Sequence, residues 1–247
     1  MSYEYLVRLG DDRLVLGHRL SEWCGHGPIL EEDIALTNIA LDLVGQANLF
    51  LEQAGKAEGK GRDQDALAYF REAVDYRNLL IAELPKGDFA FTIARQFFFS
   101  VFNYLQMEAL QKSTNADVAG IAAKAVKEAK YHVRHSADWM VKLGDGTAES
   151  HDRLQSAVDD LWRYTGEMFL ADDVDRAAAA AGLGVDPSKL ETAWRSHVDD
   201  VCRRAMLKLP EVKFMQRGGR EGKHTEHLGL MLSEMQIVAR SYPDGKW

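Results

Sequence analysis

No stretch of this sequence alternates apolar and polar residues with the period of two that a half-buried strand needs, so no sheet is expected. Cysteine is scarce. Cys24 and Cys202 stand far apart and outside any paired motif, which excludes a disulfide framework and a cysteine zinc site and leaves two free thiols. Basic residues are outnumbered, 30 Lys and Arg against 38 Asp and Glu, for a formal net charge of -8. No cationic run interleaved with aromatics offsets that balance, so a nucleic-acid surface is excluded. No apolar run is expected to cross a bilayer, and Met1-Ser2-Tyr3-Glu4-Tyr5 lacks the basic and apolar regions of a signal peptide. No membrane partner and a cytoplasmic location are therefore expected. The absence of a Gly-rich phosphate loop after a strand, and of Gly-x-Ser-x-Gly, removes nucleotide-binding and serine-hydrolase readings.

Helical periodicity fills most of the 247 residues, with no internal repeat and no composition break, which points to one domain over 1–247. A first helix is predicted from Asp11 to Trp23, through Leu14, Val15 and Leu20, broken by Gly25 to Pro28. Pro28 is placed to open a long helix with two apolar sets: Ile34, Leu41, Val44 and Leu51, and Ile39, Leu43 and Phe50. Two apolar faces mean a central helix. After a solvated connection at Gly55 to Gly61, Ala66 to Val74 read as helix. Asp88 caps a phenylalanine-rich helix ending near Lys112 to Asn115, whose Arg95, Gln96, Asn103 and Gln106 mark it as a buried bundle helix. The next helix carries Ala123 to Trp139 and stops at Leu143 to Gly146, where a left-handed glycine is expected. A fourth long helix is predicted over Glu149 to Phe169. Asp172 or Asp173 caps a shorter one, and Asp186-Pro187 with Ser188-x-x-Glu191 starts another. Glu211 to Gly222 read as an exposed loop before a final helix with Leu228, Met231, Leu232, Met235 and Val238. The expected fold is all-α, a four-helix core with additional helices around it.

A di-metal site in such a core takes about four carboxylates and two histidines from four helices, with Glu-x-x-His pointing both ligands at one ion. Acids are present on the core helices at Asp42, Glu108, Glu128, Asp159, Asp160 and Glu167, but the residue three after Glu108 is Gln111, after Glu128 Tyr131 and after Asp160 Arg163. A fixed guanidinium at Arg163 stands where a ligand would have to be a neutral imidazole. Glu128, His132 and His135, at i, i+4 and i+7, share one helix face, compatible with metal or with neutralisation by Lys124 and Arg134. The altered set is Asp42, Glu108, Glu128, His132, His135, Asp160 and Arg163. The one Glu-x-x-His, Glu221 to His224, is overlapped by His224-Thr225-Glu226-His227 at a loop and helix start, where a cap and partner-facing polar residues are expected.

Leu9-Gly10-Asp11-Asp12 with Leu14-Val15-Leu16, Glu22-Trp23-Cys24-Gly25-His26, Asn38 to Ala47, Thr92 to Gln96, Lys127 to His132 and His224 to Gly229 together resemble one family. It is the C-subunit family of phenylacetyl-CoA epoxidase, a bacterial ring-epoxidising multicomponent monooxygenase. The resemblance implies a ferritin-like structural subunit that has lost its metal site and carries no cofactor or catalytic residue. It also implies a homologous catalytic subunit holding di-iron, a small bridging subunit, and a reductase with flavin and iron-sulfur groups. A second reading is an independent di-iron oxidase or iron-binding protein built on Glu128, His132 and His135. Two further expectations concern partners. The helix starts at Glu31, Glu32, Asp33 and Ile34, and at Asp173, Val174 and Asp175, offer backbone amides to a coenzyme A thioester reaching across from the catalytic subunit. Phe50, Phe98, His224, Glu226 and His227 are the candidate partner interface.

Overall fold

The computed structural model describes residues 2–212 and 214–245. Among these residues ten α-helices run in the order α1 (Ser2–Ser21), α2 (Leu30–Glu58), α3 (Gln64–Tyr69), α4 (Leu80–Glu83), α5 (Phe89–Leu110), α6 (Ala116–Gly144), α7 (Ala148–Trp162), α8 (Asp173–Ala180), α9 (Glu191–Arg204) and α10 (Glu226–Ser241). Short 3-10 turns occupy Ala73–Asp75, Gly166–Phe169, Pro187–Leu190 and Gly219–Glu221, and no strand occurs among the described residues. The all-α expectation holds, with the ferritin-like arrangement of a four-helix core.

That core is α1, α2, α5 and α6. α1 pairs with α2, α5 with α6, and α2 with α6. α1 and α5 are joined by Arg13 to Asn103 and, just past α1, by the Trp23 indole donating to Thr92 at 3.0 Å. α1 and α2 approach closely because Gly10 faces Leu51: a Cβ there would lie 2.6 Å from the leucine side chain. α7 and α9 pack on α5 and α6, α4 and α8 on α1, and α10 on α3.

Local signals explain most boundaries. Asp63, Asp88, Asn115, Thr147 and Asp172 cap α3, α5, α6, α7 and α8 through their side chains. Gly59, at φ 71, closes α2 by returning its N–H to Gly55.

Five expectations are corrected. α1 begins at Ser2 rather than Asp11, because Tyr5 to Gly17 are all buried and a helix enclosed on every side shows no polar stripe. The helix expected over Ala66 to Val74 stops at Tyr69. Further along, the chain finds its hydrogen bonds elsewhere: Arg77 N–H donates to Asp11, Leu79 N–H to Asp12 and Leu80 N–H to Glu167, each at 2.8 Å. Gly144 lies inside α6 and is not left-handed. It is small because a Cβ would run into the Ala205 carbonyl at the α6–α9 crossing. The fourth long helix ends at Trp162 and not Phe169. Finally, α2 is long and apolar enough by composition to cross a membrane. One of its faces is bundle core, so its apolar content is divided between interior and surface.

Candidate functional site

All four core helices contribute to a polar cluster inside the bundle, where a di-metal protein of this architecture would gather its ligands. At its centre is Arg13, fully buried on α1. Its guanidinium donates to Gln46 on α2 at 3.3 Å, to Gln106 on α5 at 2.9 Å and to the Leu9 carbonyl at 2.6 Å, and also to Asn103. It stacks on Phe50, 5.2 Å from the ring centroid. Gln46 passes the network on by donating to Glu128 on α6 at 2.9 Å. Among the described residues no carboxylate hydrogen-bonds this cation. Burial pushes it down to about 10, against the pull of nearby Asp12. A guanidinium has no lone pair to offer a metal, and its fixed charge repels a divalent ion. The amide oxygens that surround it are already accepting its protons. These residues do not fit a di-iron centre.

A second polar row lies along the α2–α6 seam. His132 Nε2 meets Asp42 at 3.0 Å and His135 Nε2 meets Glu32 at 2.8 Å. Both Nδ1 atoms are buried and have no hydrogen-bond partner among the described residues. Each imidazole thus holds one carboxylate of α2, and the two pairs are separate. Among the described residues no group of three or more His, Cys, Asp and Glu is placed to hold one ion.

A family model described as phenylacetic acid catabolic protein matches residues 1–247. The chain belongs to this family. It is 46% identical over 243 residues to the C-subunit of 1,2-phenylacetyl-CoA epoxidase from Escherichia coli (strain K12), a match covering 98% of each chain. The relative is, by its name, one subunit of an epoxidase.

The residues singled out from sequence in this family member divide into two groups. Asp42, Glu128, His132 and His135 line the α2–α6 seam in separate pairs, Asp42 with His132, Glu32 with His135 and Gln46 with Glu128. Glu108, Asp160 and Arg163 do not: all three are exposed, Glu108 accepting from Tyr104 on the outside of α5 and the other two lying at α7. The phenylalanines are corrected as well. Phe50 lies beneath Arg13, and Phe98 is enclosed by Trp162 and Trp194 at centroid distances of 5.7 and 5.9 Å, so neither offers a free interface. His224 is half-buried as a residue, with its side chain enclosed between Glu83, 2.7 Å from Nδ1, and the Tyr76 carbonyl, 3.1 Å from Nε2. Glu226 remains exposed and His227 half-buried.

The two helix starts are largely occupied by the chain itself. Asp172 accepts from Val174 and Asp175 N–H at the head of α8, and Arg8 binds Asp172 and Asp175. At α2, Glu32 turns to His135 and Asp33 accepts from Gly27 N–H at 2.9 Å, leaving Glu31 and Ile34 outward. Hydrogen bonds from Gly27 and its neighbours hold the Asp33 carboxyl below the usual range.

Sequence reasoning named Glu167 as an acid of a core helix, but it missed that Glu167, in the Gly166–Phe169 turn, belongs with Asp11, Asp12 and Glu83 to a set of buried carboxylates that fasten the irregular segments to the bundle. Asp11 binds Arg71. Asp12 binds Arg220 through both oxygens, at 2.9 and 2.8 Å. Glu83 accepts from Asn78, His224 and Thr225 N–H. Glu167 accepts three backbone N–H groups, from Leu80, Gly218 and Gly219. Burial raises the Glu167 carboxyl above its ordinary value despite those bonds. The loop expected to be exposed is therefore anchored at Gly218 to Arg220. The available signal was Asp11-Asp12 amid an apolar run, where adjacent acids need buried partners.

Proposed function

We propose that this chain is the non-catalytic structural subunit of a bacterial phenylacetyl-CoA ring epoxidase in phenylacetate catabolism. In this reading it pairs with a homologous subunit that holds the di-iron centre. A small bridging subunit and a reductase carrying flavin and iron-sulfur groups complete a cytoplasmic complex. The observation that carries the proposal is Arg13. A guanidinium satisfied by Gln46, Asn103 and Gln106 takes the space and the charge that iron would need, while the bundle around it is preserved. Near-full-length similarity to a named epoxidase subunit supports the assignment to this complex.

The test is reconstitution. The chain alone, supplied with ferrous iron, reductase and reductant, should leave phenylacetyl-CoA unchanged, while adding the di-iron subunit should restore ring oxidation. The catalytic subunit should lose activity or solubility when this chain is omitted. Substrate oxidation by the chain alone, or full activity and stability without it, would overturn the proposal.

A further inference from the structure

The α2–α6 pair presents an outer face that the smaller helices leave partly uncovered. On α2, Leu30 is 71% exposed, Ile34 52% and Leu41 65%, opposite the buried stripe of Leu36, Ile39, Leu43 and Phe50. Their spacings of four and seven keep them on one line along the helix. Gly45 continues the line, and a Cβ there would meet nothing within 4 Å, so another backbone can come close.

α6 supplies the opposite character. Lys124, Lys127, Lys130 and Arg134 are exposed around Tyr131, and Arg134 lies over the tyrosine ring at 5.6 Å. Among the described residues, the ion pairs formed by this part of α6 are Lys124 with Glu128 at 3.8 Å and the two histidine pairs to α2. Lys127, Lys130 and Arg134 are thus a concentrated positive patch on a chain whose net charge is -8.

We propose that this face docks a second helical chain, one whose contact surface carries an apolar ridge flanked by carboxylates. The proposal rests on the reading of this chain as a subunit and specifies which surface the partner takes. Apolar side chains at helical spacing match the groove of another helix, and the cations beside them select acidic residues and steer encounter. A second copy of this chain fits poorly, because an isologous contact sets the same cations against each other. An anionic membrane would meet the cations, but it would also have to receive the half-exposed carboxylates of Asp42 and Glu128 in the middle of the face.

The experiment uses the complex obtained by co-expressing this chain with the catalytic subunit of its own system. Complex formation is followed by sedimentation velocity at low and high salt. Ile34→Asp with Leu41→Asp should weaken association by about 100-fold or more. Lys127→Glu with Lys130→Glu should weaken it about tenfold and flatten its salt dependence. Leu230→Asp, on the exposed side of α10, is the control and should bind as the natural chain does. All the substituted positions are exposed, and circular dichroism checks that helicity is kept. If the natural chain binds no catalytic subunit, the functional reading itself fails. If it binds and both double variants bind equally well, this surface assignment is overturned. Self-association abolished by Leu41→Asp, or binding to phosphatidylglycerol vesicles abolished by Lys127→Glu with Lys130→Glu, would overturn it in favour of a second copy or a membrane.

Discussion

Replacing Asp12 by alanine should be among the most damaging single changes outside the apolar core. The carboxylate is fully buried, grips Arg220 with both oxygens, and accepts the Leu79 N–H at 2.8 Å. It thereby ties α1 to the segment after the Ala73–Asp75 turn and to the Gly219–Glu221 turn. Asp12→Ala leaves a guanidinium with little access to water and an amide without an acceptor. Breaking a buried pair from one side costs about 3–5 kcal/mol. An orphaned amide costs about 1–3 kcal/mol, and the two overlap because both follow from one vacated position. A net loss of about 4 kcal/mol is expected, a large part of the roughly 5–15 kcal/mol that holds a domain folded. Urea unfolding followed by circular dichroism measures it. Arg220→Met and the double variant complete a cycle, in which the double change should cost about 2–3 kcal/mol less than the sum of the singles. An Asp12→Ala loss below about 1 kcal/mol, or strict additivity in the cycle, would show that this pair does not fasten the segments.

Met206 ends α9 in a left-handed conformation, φ 58, that glycine adopts without cost, so Met206→Gly should stabilise the protein by about 1 kcal/mol in thermal unfolding. Cys202 is buried and its thiol is pushed up to about 12 by burial, whereas Cys24 is exposed. Alkylation near neutral pH followed by mass spectrometry should modify Cys24 first and Cys202 only on unfolding, and equal rates would contradict the α9 packing. Burial raises the Asp172 carboxyl, but the Arg8 hydrogen bond and charge outweigh it and hold the group well below 3.8, its ordinary value. A carboxylate depressed in the folded state stabilises above its unfolded value and loses that contribution as pH falls. Stability should therefore drop below about pH 4, and Asp172→Asn should make that acid slope shallower.

The bundle was legible where side chains announce a periodicity or a cap: Asp88 and Asp172 stand at the helix starts they were expected to mark. It was illegible where burial was complete. α1 shows no polar face over Tyr5 to Gly17, and Phe50 and Phe98 look the same in sequence whether they face a partner or the protein's own interior. At the site, Glu128, His132 and His135 were grouped because spacings of four and seven put them on one helix face, whereas the pairing of the histidines with Asp42 and Glu32 across the α2–α6 seam was not legible. Nor was Arg13, since nothing local distinguishes a cation aimed into a bundle from one aimed at solvent. Glu83, and the anchoring role of Glu167, escaped for a related reason. Their partners are backbone N–H groups and residues far along the chain, which spacing does not reveal.

In the proposed reading Arg13 takes the place of metal in a bundle kept for its shape. Iron analysis of the chain, expressed alone in iron-replete medium and purified without chelator, tests this most directly. The guanidinium-centred network predicts far less than stoichiometric iron, unchanged after anaerobic incubation with ferrous ion. About two tightly bound irons per chain, the content of a working di-iron bundle, would contradict it.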